Sequence, residues 1–227
     1  MKKKILVIAP HPDDEVLGAG GILYKSKNFG YKTKVITICT NFPPPLEKKK
    51  LNNCIKEAKE AHKVLKIDES VFFNIPALTL QNESTKILTD RIYNEIKEFE
   101  PSIVLIPFPD MHQDHKTVFN LCSVVTRPKG IGKKISIVAC YEVPSATYYG
   151  APKIEPNFYP NWNIEITSSI KKKCDALNKY KSTLDRNEFA RSTRAINSLA
   201  MFRGSQVNFK FAESFYIIRF LSKNVLF

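Results

Sequence analysis

Apolar residues along the chain gather in short, nearly unbroken runs, with longer stretches of helical periodicity between them. The runs KILVIA (4–9), TKVITICT (33–40), VFFNI (71–75), SIVLIP (102–107) and ISIVAC (135–140) are rich in β-branched residues and show little polar alternation. Strands that read this way are covered on both faces, as in a parallel sheet. Between them the spacing predicts helices over about 18–30, 46–66 and 84–99. In the second, Leu51, Ile55, Ala58, Ala61 and Leu65 recur at helical intervals. In the third, Ile92, Ile96 and Phe99 form the apolar stripe, while Ile87, Arg91 and Glu95 share another face. Alternating strands and helices predict an α/β fold: a single Rossmann-like domain, a mostly parallel sheet with helices on both faces.

The second half changes character. Residues 143–160 hold Pro144, Pro152, Pro156 and Pro160 among several tyrosines, a composition that suits a lid, a binding loop or a surface connection. WNIEIT (162–167) predicts another strand. Helices are expected over about 168–183 and 187–202, with Gly204 just past the helix end, and FYIIRFL (215–221) predicts a last strand. FPPPL (42–46) reads as a rigid loop bordering any pocket at the second strand. With no internal repeat, low-complexity tract or linker, residues 1–227 are expected to form one domain.

Two polar clusters interrupt this pattern where strands end. HPDDE (11–15) follows the first strand and HQDH (112–115) follows the fourth, and together they hold three of the four histidines. In an open parallel sheet the C-terminal ends of the strands share one edge, where ligands bind. Clusters far apart in sequence are therefore expected to face each other there. Adjacent carboxylates lose hydration and repel one another when buried, and a divalent cation offsets both effects. His11, one aspartate of the first cluster and one histidine of the second would make three protein ligands, leaving a position for water. The remaining carboxylate can act on that water. Which aspartate is ligand and which is base stays open on these grounds.

Composition narrows the partners. The chain of 227 residues is 43% hydrophobic, enough for a sizeable core. No apolar stretch approaches the roughly 20 residues that span a bilayer. The basic, apolar start meets charge too soon for a secretory signal. Five cysteines without a CxxC pair suggest reduced thiols in a cytoplasm and exclude a thiolate zinc finger. Cys39, Cys122 and Cys140 lie in or near apolar segments and read as small core residues. The net charge of +13 is carried by dispersed lysines, with no arginine-rich arm or aromatic-interleaved stripe. That favours a solvated basic face, or attraction of an anionic small substrate, over nucleic acid. A basic nucleotide- or nucleic-acid-binding module is the alternative from another class. GAGG (18–21) lacks the full GxGxxG spacing and follows acids that would repel phosphate, so it predicts close helix–sheet packing. His62 lies in a helical stretch without acidic ligand spacing and reads as structural or surface.

PHPDDEVLGAGG (10–21) and HQDH (112–115) together resemble the paired motifs of the PIG-L/LmbE-like family of zinc-dependent N-deacetylases, which act on N-acetylglucosaminyl compounds. The resemblance continues through YEVPS (141–145), FYPNWNIEIT (158–167), KKKCDALNKYKS (171–182) and RGSQ (203–206). It implies that His11, Asp14 and His115 are zinc ligands and that Asp13 is the general base. It places His112 near the scissile carbonyl, as oxyanion stabiliser or donor to the leaving amine, and makes Asp114 the carboxylate that orients a histidine of its own cluster. Fe2+ suits the same donors as Zn2+. Glu15 is expected to accept a neighbouring backbone hydrogen bond. The implied reaction converts an N-acetylated amino sugar or glycoconjugate, an anionic one included, to free amine and acetate. Hydrolysis of other amides or esters is the second enzymatic reading, and relatives that assemble leave a homo-oligomer open. Two departures bear on the substrate. Cys54 stands three residues before Glu57, where many members carry arginine, and Met111 stands before HQDH, where some do. Arg203 is one replacement cation, with helix capping or packing as its other reading.

Overall fold

The expected strand runs form one seven-stranded sheet in the computed structural model, which describes residues 3–41, 48–151, 153–183 and 189–222. FPPPL lies outside the described residues. The strands are β1 (Lys4–Ala9), β2 (Lys32–Asn41), β3 (Glu69–Pro76), β4 (Ile103–Pro107), β5 (Ile137–Tyr141), β6 (Trp162–Glu165) and β7 (Ala212–Phe220), in the spatial order β3-β2-β1-β4-β5-β7-β6. The first five pair in parallel, while β7 runs antiparallel to both β5 and β6. The helices are α1 (Asp14–Ser26), α2 (Lys48–Leu65), α3 (Thr85–Phe99), α4 (Gln113–Val125), the short α5 (Pro144–Thr147), α6 (Ile170–Leu177) and α7 (Thr193–Ser205).

Successive side chains of β1 enter opposite cores, as the two-residue strand period requires. Ile5 and Val7 pack with Leu17, Ala58 and Tyr141 on one face, and Leu6 and Ile8 pack with Ile92, Ile96 and Val118 on the other. Both faces of the central strands are thereby covered, which accounts for their unbroken apolar runs.

Three departures from the expected elements bear on the site. First, α1 begins at Asp14 rather than near residue 18. Asp13 holds φ 105° as its N-cap, so the chain turns sharply out of β1 and brings Asp14 and Glu15 into the first helical turn. Second, α4 was not among the expected helices. It opens at HQDH and buries Val118, Leu121, Cys122 and Val125 along one face. Third, α7 runs through Gly204 instead of stopping before it. A Cβ there would lie 2.5 Å from the Phe209 carbonyl oxygen, so this glycine serves a close chain approach rather than a cap.

GAGG does pack helix against sheet. A Cβ at Gly18 would overlap the Tyr141 ring, and one at Gly21 would come within 2.8 Å of Ile166 and 2.9 Å of Glu213. That closeness holds the start of α1, and with it the acidic cluster, against the sheet.

Candidate metal centre

β1 and β4 are neighbours in the parallel sheet, so their C-terminal ends lie side by side and the two clusters converge. His11 leaves β1 with its backbone N–H and Nδ1 aimed at Asp14 Oδ2, at 3.0 and 3.1 Å. His115, on the first turn of α4, brings Nε2 to 3.4 Å from the same Asp14 oxygen. One carboxylate oxygen and two imidazole nitrogens therefore meet at one buried point. The His112 ring completes the group, its centroid 4.7 Å from that of His11 and 4.9 Å from that of His115. Ring nitrogens of these three histidines lie within 4.8 Å of one another, as do donor atoms of His11, Cys39 and Asp114.

The far nitrogen of each converging histidine is held by a carboxylate. His11 Nε2 lies 2.9 Å from Asp114 Oδ2, and His115 Nδ1 lies 3.0 Å from Asp110 Oδ2. This is a correction to the expected role of Asp114. Its carboxylate orients a histidine of the other cluster and accepts the Leu78 backbone N–H at 2.8 Å. Toward its own cluster Asp114 gives only its backbone N–H, to His112 Nδ1 at 3.2 Å. Asp110, which no motif singled out, does the work within that cluster. It also accepts the His112 backbone N–H at 3.0 Å and the Thr147 hydroxyl at 3.0 Å. Its only signal in sequence is an aspartate five residues before a strand-end histidine.

The surrounding groups are committed. Glu15 accepts the Asp13 backbone N–H at 3.2 Å, as expected, and its other oxygen takes the Tyr180 hydroxyl. His62 is buried, pairs through Nδ1 with Ser70 Oγ at 2.7 Å, and brings Nε2 to 3.3 Å from Glu15, off the hydrogen-bonding direction. Its structural reading holds and its surface reading does not. Arg203 is also buried. Its Nε and Nη2 grip Glu142 at 3.0 and 2.6 Å, and the Tyr148 hydroxyl joins the pair, so Arg203 is not the replacement cation for a substrate. Arg191, absent from the expected site, lies 3.8 Å from Asp13 Oδ2 through its Nε.

The protonation chemistry follows from burial and neighbours. Burial alone would raise Asp14, but His115 and His11 hold its carboxyl well below the usual range. Burial works against a charged His115, yet Asp14 and Asp110 bring its pKa up to about 10. Asp13 has no such histidine partner. Burial pushes its pKa up to about 7, with Arg191 pulling down and Asp14 pushing up. His112 is driven down to about 4 by burial and by the neighbouring imidazoles, so it is neutral at pH 7.

The donor set suits a divalent cation. Among the described residues, Oδ1 of Asp13, Asp14 and Asp114 is buried without a hydrogen-bond partner. Carboxylates on the outer nitrogens of two histidines are the usual support of histidine metal ligands. Cys39 is a poorer donor, because burial pushes its thiol far above the range in which a thiolate forms.

A family model described as GlcNAc-PI de-N-acetylase, PIG-L, matches residues 6–126, a span that contains both clusters and more than half the chain. The chain belongs to the PIG-L family. Solved structures extend the likeness over the whole fold. N,N'-diacetylchitobiose deacetylase from Pyrococcus horikoshii aligns with a TM-score of 0.74 at 22% identity, covering 95% of this chain and 84% of that one. Teicoplanin deacetylase in a zinc-inhibited form aligns with a TM-score of 0.74 at 16% identity, covering 97% and 100%. The 4-carboxy-2-hydroxymuconate hydratase of Pseudomonas putida aligns with a TM-score of 0.78 at 19% identity, covering 98% and 99%. One PIG-L-like fold thus carries proteins named for different reactions, and the reaction of this chain must be argued from its own residues.

Proposed function

We propose that this chain, residues 1–227 as one domain, is a metal-dependent hydrolase that removes the acetyl group from an N-acetylated amino sugar or glycoconjugate. The observation that carries the reading is the convergence of His11 Nδ1, Asp14 Oδ2 and His115 Nε2, with each imidazole locked from behind by a carboxylate. His11, Asp14 and His115 would hold Zn2+, and Fe2+ suits the same donors. Such a cation supplies Lewis acidity, polarising a carbonyl and acidifying water to a pKa of about 7.

The chain's own groups divide the rest of the work. Asp13 adjoins the ligand Asp14 but points no oxygen at either histidine pair, and its pKa of about 7 suits a carboxylate that takes a proton from attacking water. His112 Nδ1 accepts the Asp114 N–H, which fixes the neutral tautomer with its proton on Nε2. A neutral imidazole carrying that proton donates a hydrogen bond to the developing oxyanion more readily than it surrenders the proton. This favours the oxyanion role of His112 over that of acid. Asp13, once protonated, is then the group that can return a proton to the departing amine.

Free Cys39, Cys54, Cys122, Cys140 and Cys174 fit a reducing cytoplasm, and among the described residues no helix is long and apolar enough to cross a membrane. The test is acetate release from N-acetylhexosamines by zinc-loaded protein, beside matched ester and phosphoester substrates. Acetate from the amides alone is expected. Turnover of esters with none of the N-acetyl sugars would move the reading to a general metal hydrolase. Salt-sensitive binding to DNA or RNA, indifferent to His11 and His115, would favour the binding module.

The role of Asp110 has its own test. Asp110→Asn keeps the shape of the side chain but weakens its grip on His115. Zinc affinity, read by competition with a chromogenic chelator, should fall about 10- to 100-fold. An unchanged affinity would mean that Asp110 serves only the turn before α4.

A further inference from the structure

HPDDE puts three acids side by side, and the third is turned away from the other two. Oδ1 of Asp13 and of Asp14 is buried without a hydrogen-bond partner, whereas both Glu15 oxygens are taken. Oε2 accepts the Asp13 backbone N–H at 3.2 Å, and Oε1 accepts the hydroxyl of Tyr180, 165 residues further along the chain. His62 Nε2 flanks the same Oε1 at 3.3 Å. Glu15 is therefore committed to Asp13 and Tyr180 rather than to a cation.

Asp13 needs such a hold. Its φ of 105° and ψ of −29° are strained for a residue with a Cβ, and backbone strain of that kind persists only where the surroundings over-determine it. The Asp13 carbonyl accepts the Val16 N–H at 3.0 Å and the Leu17 N–H at 2.8 Å, so α1 fixes that side of the residue. Its side chain makes no capping bond to the helix, which leaves the carboxylate to the site. The amide side is fixed by Glu15. Glu15 is anchored in turn by Tyr180, a fully buried ring in the core cluster that also holds Val16 and Leu17. Burial, then the Glu15 carboxylate, keeps the Tyr180 phenol well above its ordinary range, so the hydroxyl retains its proton and donates the hydrogen bond.

We propose that Glu15 and Tyr180 are positioning residues for the reaction: Tyr180 holds the Glu15 carboxylate, and Glu15, through the Asp13 backbone N–H, holds the left-handed turn that aims the Asp13 carboxylate at the attacking water. This rests on the deacetylase reading above and adds two residues to it that touch neither metal nor substrate. Tyr180 lies beyond α6, so the end of that helix is tied to the geometry of the base.

The experiment uses zinc-loaded protein and has a kinetic arm and an exchange arm. Kinetics compare kcat, per bound zinc, and KM for acetate release in wild type, Tyr180→Phe, Glu15→Ala, Glu15→Gln and Thr126→Val. The last removes a buried hydroxyl that bonds the Cys122 carbonyl at the far end of α4, and controls for destabilisation. Tyr180→Phe and Glu15→Ala should lower kcat about tenfold to hundredfold with KM kept, the loss that a misplacement of about 1 Å brings. Glu15→Gln keeps an acceptor for the Asp13 N–H and should recover most of that loss, and Thr126→Val should match wild type. In an Asp13→Asn background Tyr180→Phe should bring no further loss, because its effect passes through Asp13. Exchange of the Asp13 amide with solvent, read by NMR, should speed up about tenfold in Tyr180→Phe and stay at the wild-type rate in Thr126→Val. Undiminished kcat in Tyr180→Phe overturns the proposal. So does a further loss in the Asp13→Asn background, which would mean a general structural role. Glu15→Gln as impaired as Glu15→Ala also overturns it, because charge rather than geometry would then matter; that pair decides alone if Tyr180→Phe does not fold. A wild type that releases no acetate would sink the deacetylase reading, and the exchange rates would still decide the hold on Asp13, which fails if the amide exchanges alike in Tyr180→Phe and wild type.

Discussion

Asparagine at Asp13 is expected to leave zinc stoichiometry at the wild-type level while removing nearly all acetate release. Asp13 is buried beside the three proposed ligands, yet neither of its oxygens pairs with His11 or His115, so the proposed metal site does not include it. Proton transfer by a positioned base contributes about 10²- to 10⁴-fold to rate, and that is the loss predicted for kcat. Asparagine is the informative substitution because the backbone at Asp13 holds φ 105°, in the left-handed region that asparagine and aspartate tolerate best among residues with a Cβ. Alanine should lose the same activity and in addition lower the melting temperature, since it adds a backbone penalty of about 1 kcal/mol. A fall in zinc content together with activity would make Asp13 a ligand. Near-native turnover in the asparagine variant would end its assignment as base.

The same residue predicts the shape of the pH profile. Burial raises the Asp13 pKa to about 7, against the pull of Arg191, and only the deprotonated form can accept a proton. kcat/KM should therefore rise with pH as Asp13 ionises. A cation at Asp14 draws the midpoint to 7 or below. In Asp13→Asn this rising limb should vanish from whatever activity remains.

Much of this site is legible in the sequence, because strand-end clusters in a parallel sheet have only one edge to occupy. The runs at 4–9 and 102–107 located β1 and β4, and their adjacency alone brings His11 to His115. What could not be read depends on side chains that meet through the fold. Asp110 and Asp114 are both aspartates near histidines, and local spacing suggests that each serves its own cluster. The parallel register of β1 against β4 instead places the Asp114 carboxylate 2.9 Å from His11, leaving His115 to Asp110. Arg203 and Arg191 show the same limit. One is buried against Glu142 and the other stands by Asp13, a difference set by α7 and the segment before it rather than by neighbours in sequence. The early start of α1 was hidden for a local reason: its first turn is acidic, and the periodicity becomes apolar only from Val16 onward. Gly204 misled because a glycine near a helix end usually caps it, whereas here it makes room for the Phe209 carbonyl.

Chelation should abolish turnover, and rebinding of zinc should release protons in an amount that identifies the ligands. With the cation removed, His11 and His115 are left to pair with Asp14 directly, as their distances of 3.1 and 3.4 Å permit. That pairing favours the protonated imidazoles. Burial opposes charge on both rings, but Asp14 and Asp110 raise His115 to about 10, and Asp114 and Asp14 raise His11 above its ordinary value. A histidine binds metal only as the neutral ring, so each proton present at the working pH must leave when zinc enters. The sign follows: below its raised pKa a ligand histidine holds the competing proton, so zinc affinity falls as pH falls and recovers as pH rises. At pH 7 at least one proton per zinc should be released, from His115. Calorimetry in buffers of different ionisation enthalpy counts these protons. His115→Ala should lose that proton along with tight zinc binding. His112→Ala should keep both, because His112, at about 4, carries no proton to displace at pH 7 and is not among the three proposed ligands. If His112→Ala lost zinc as completely as His115→Ala, His112 would have to be counted among the ligands.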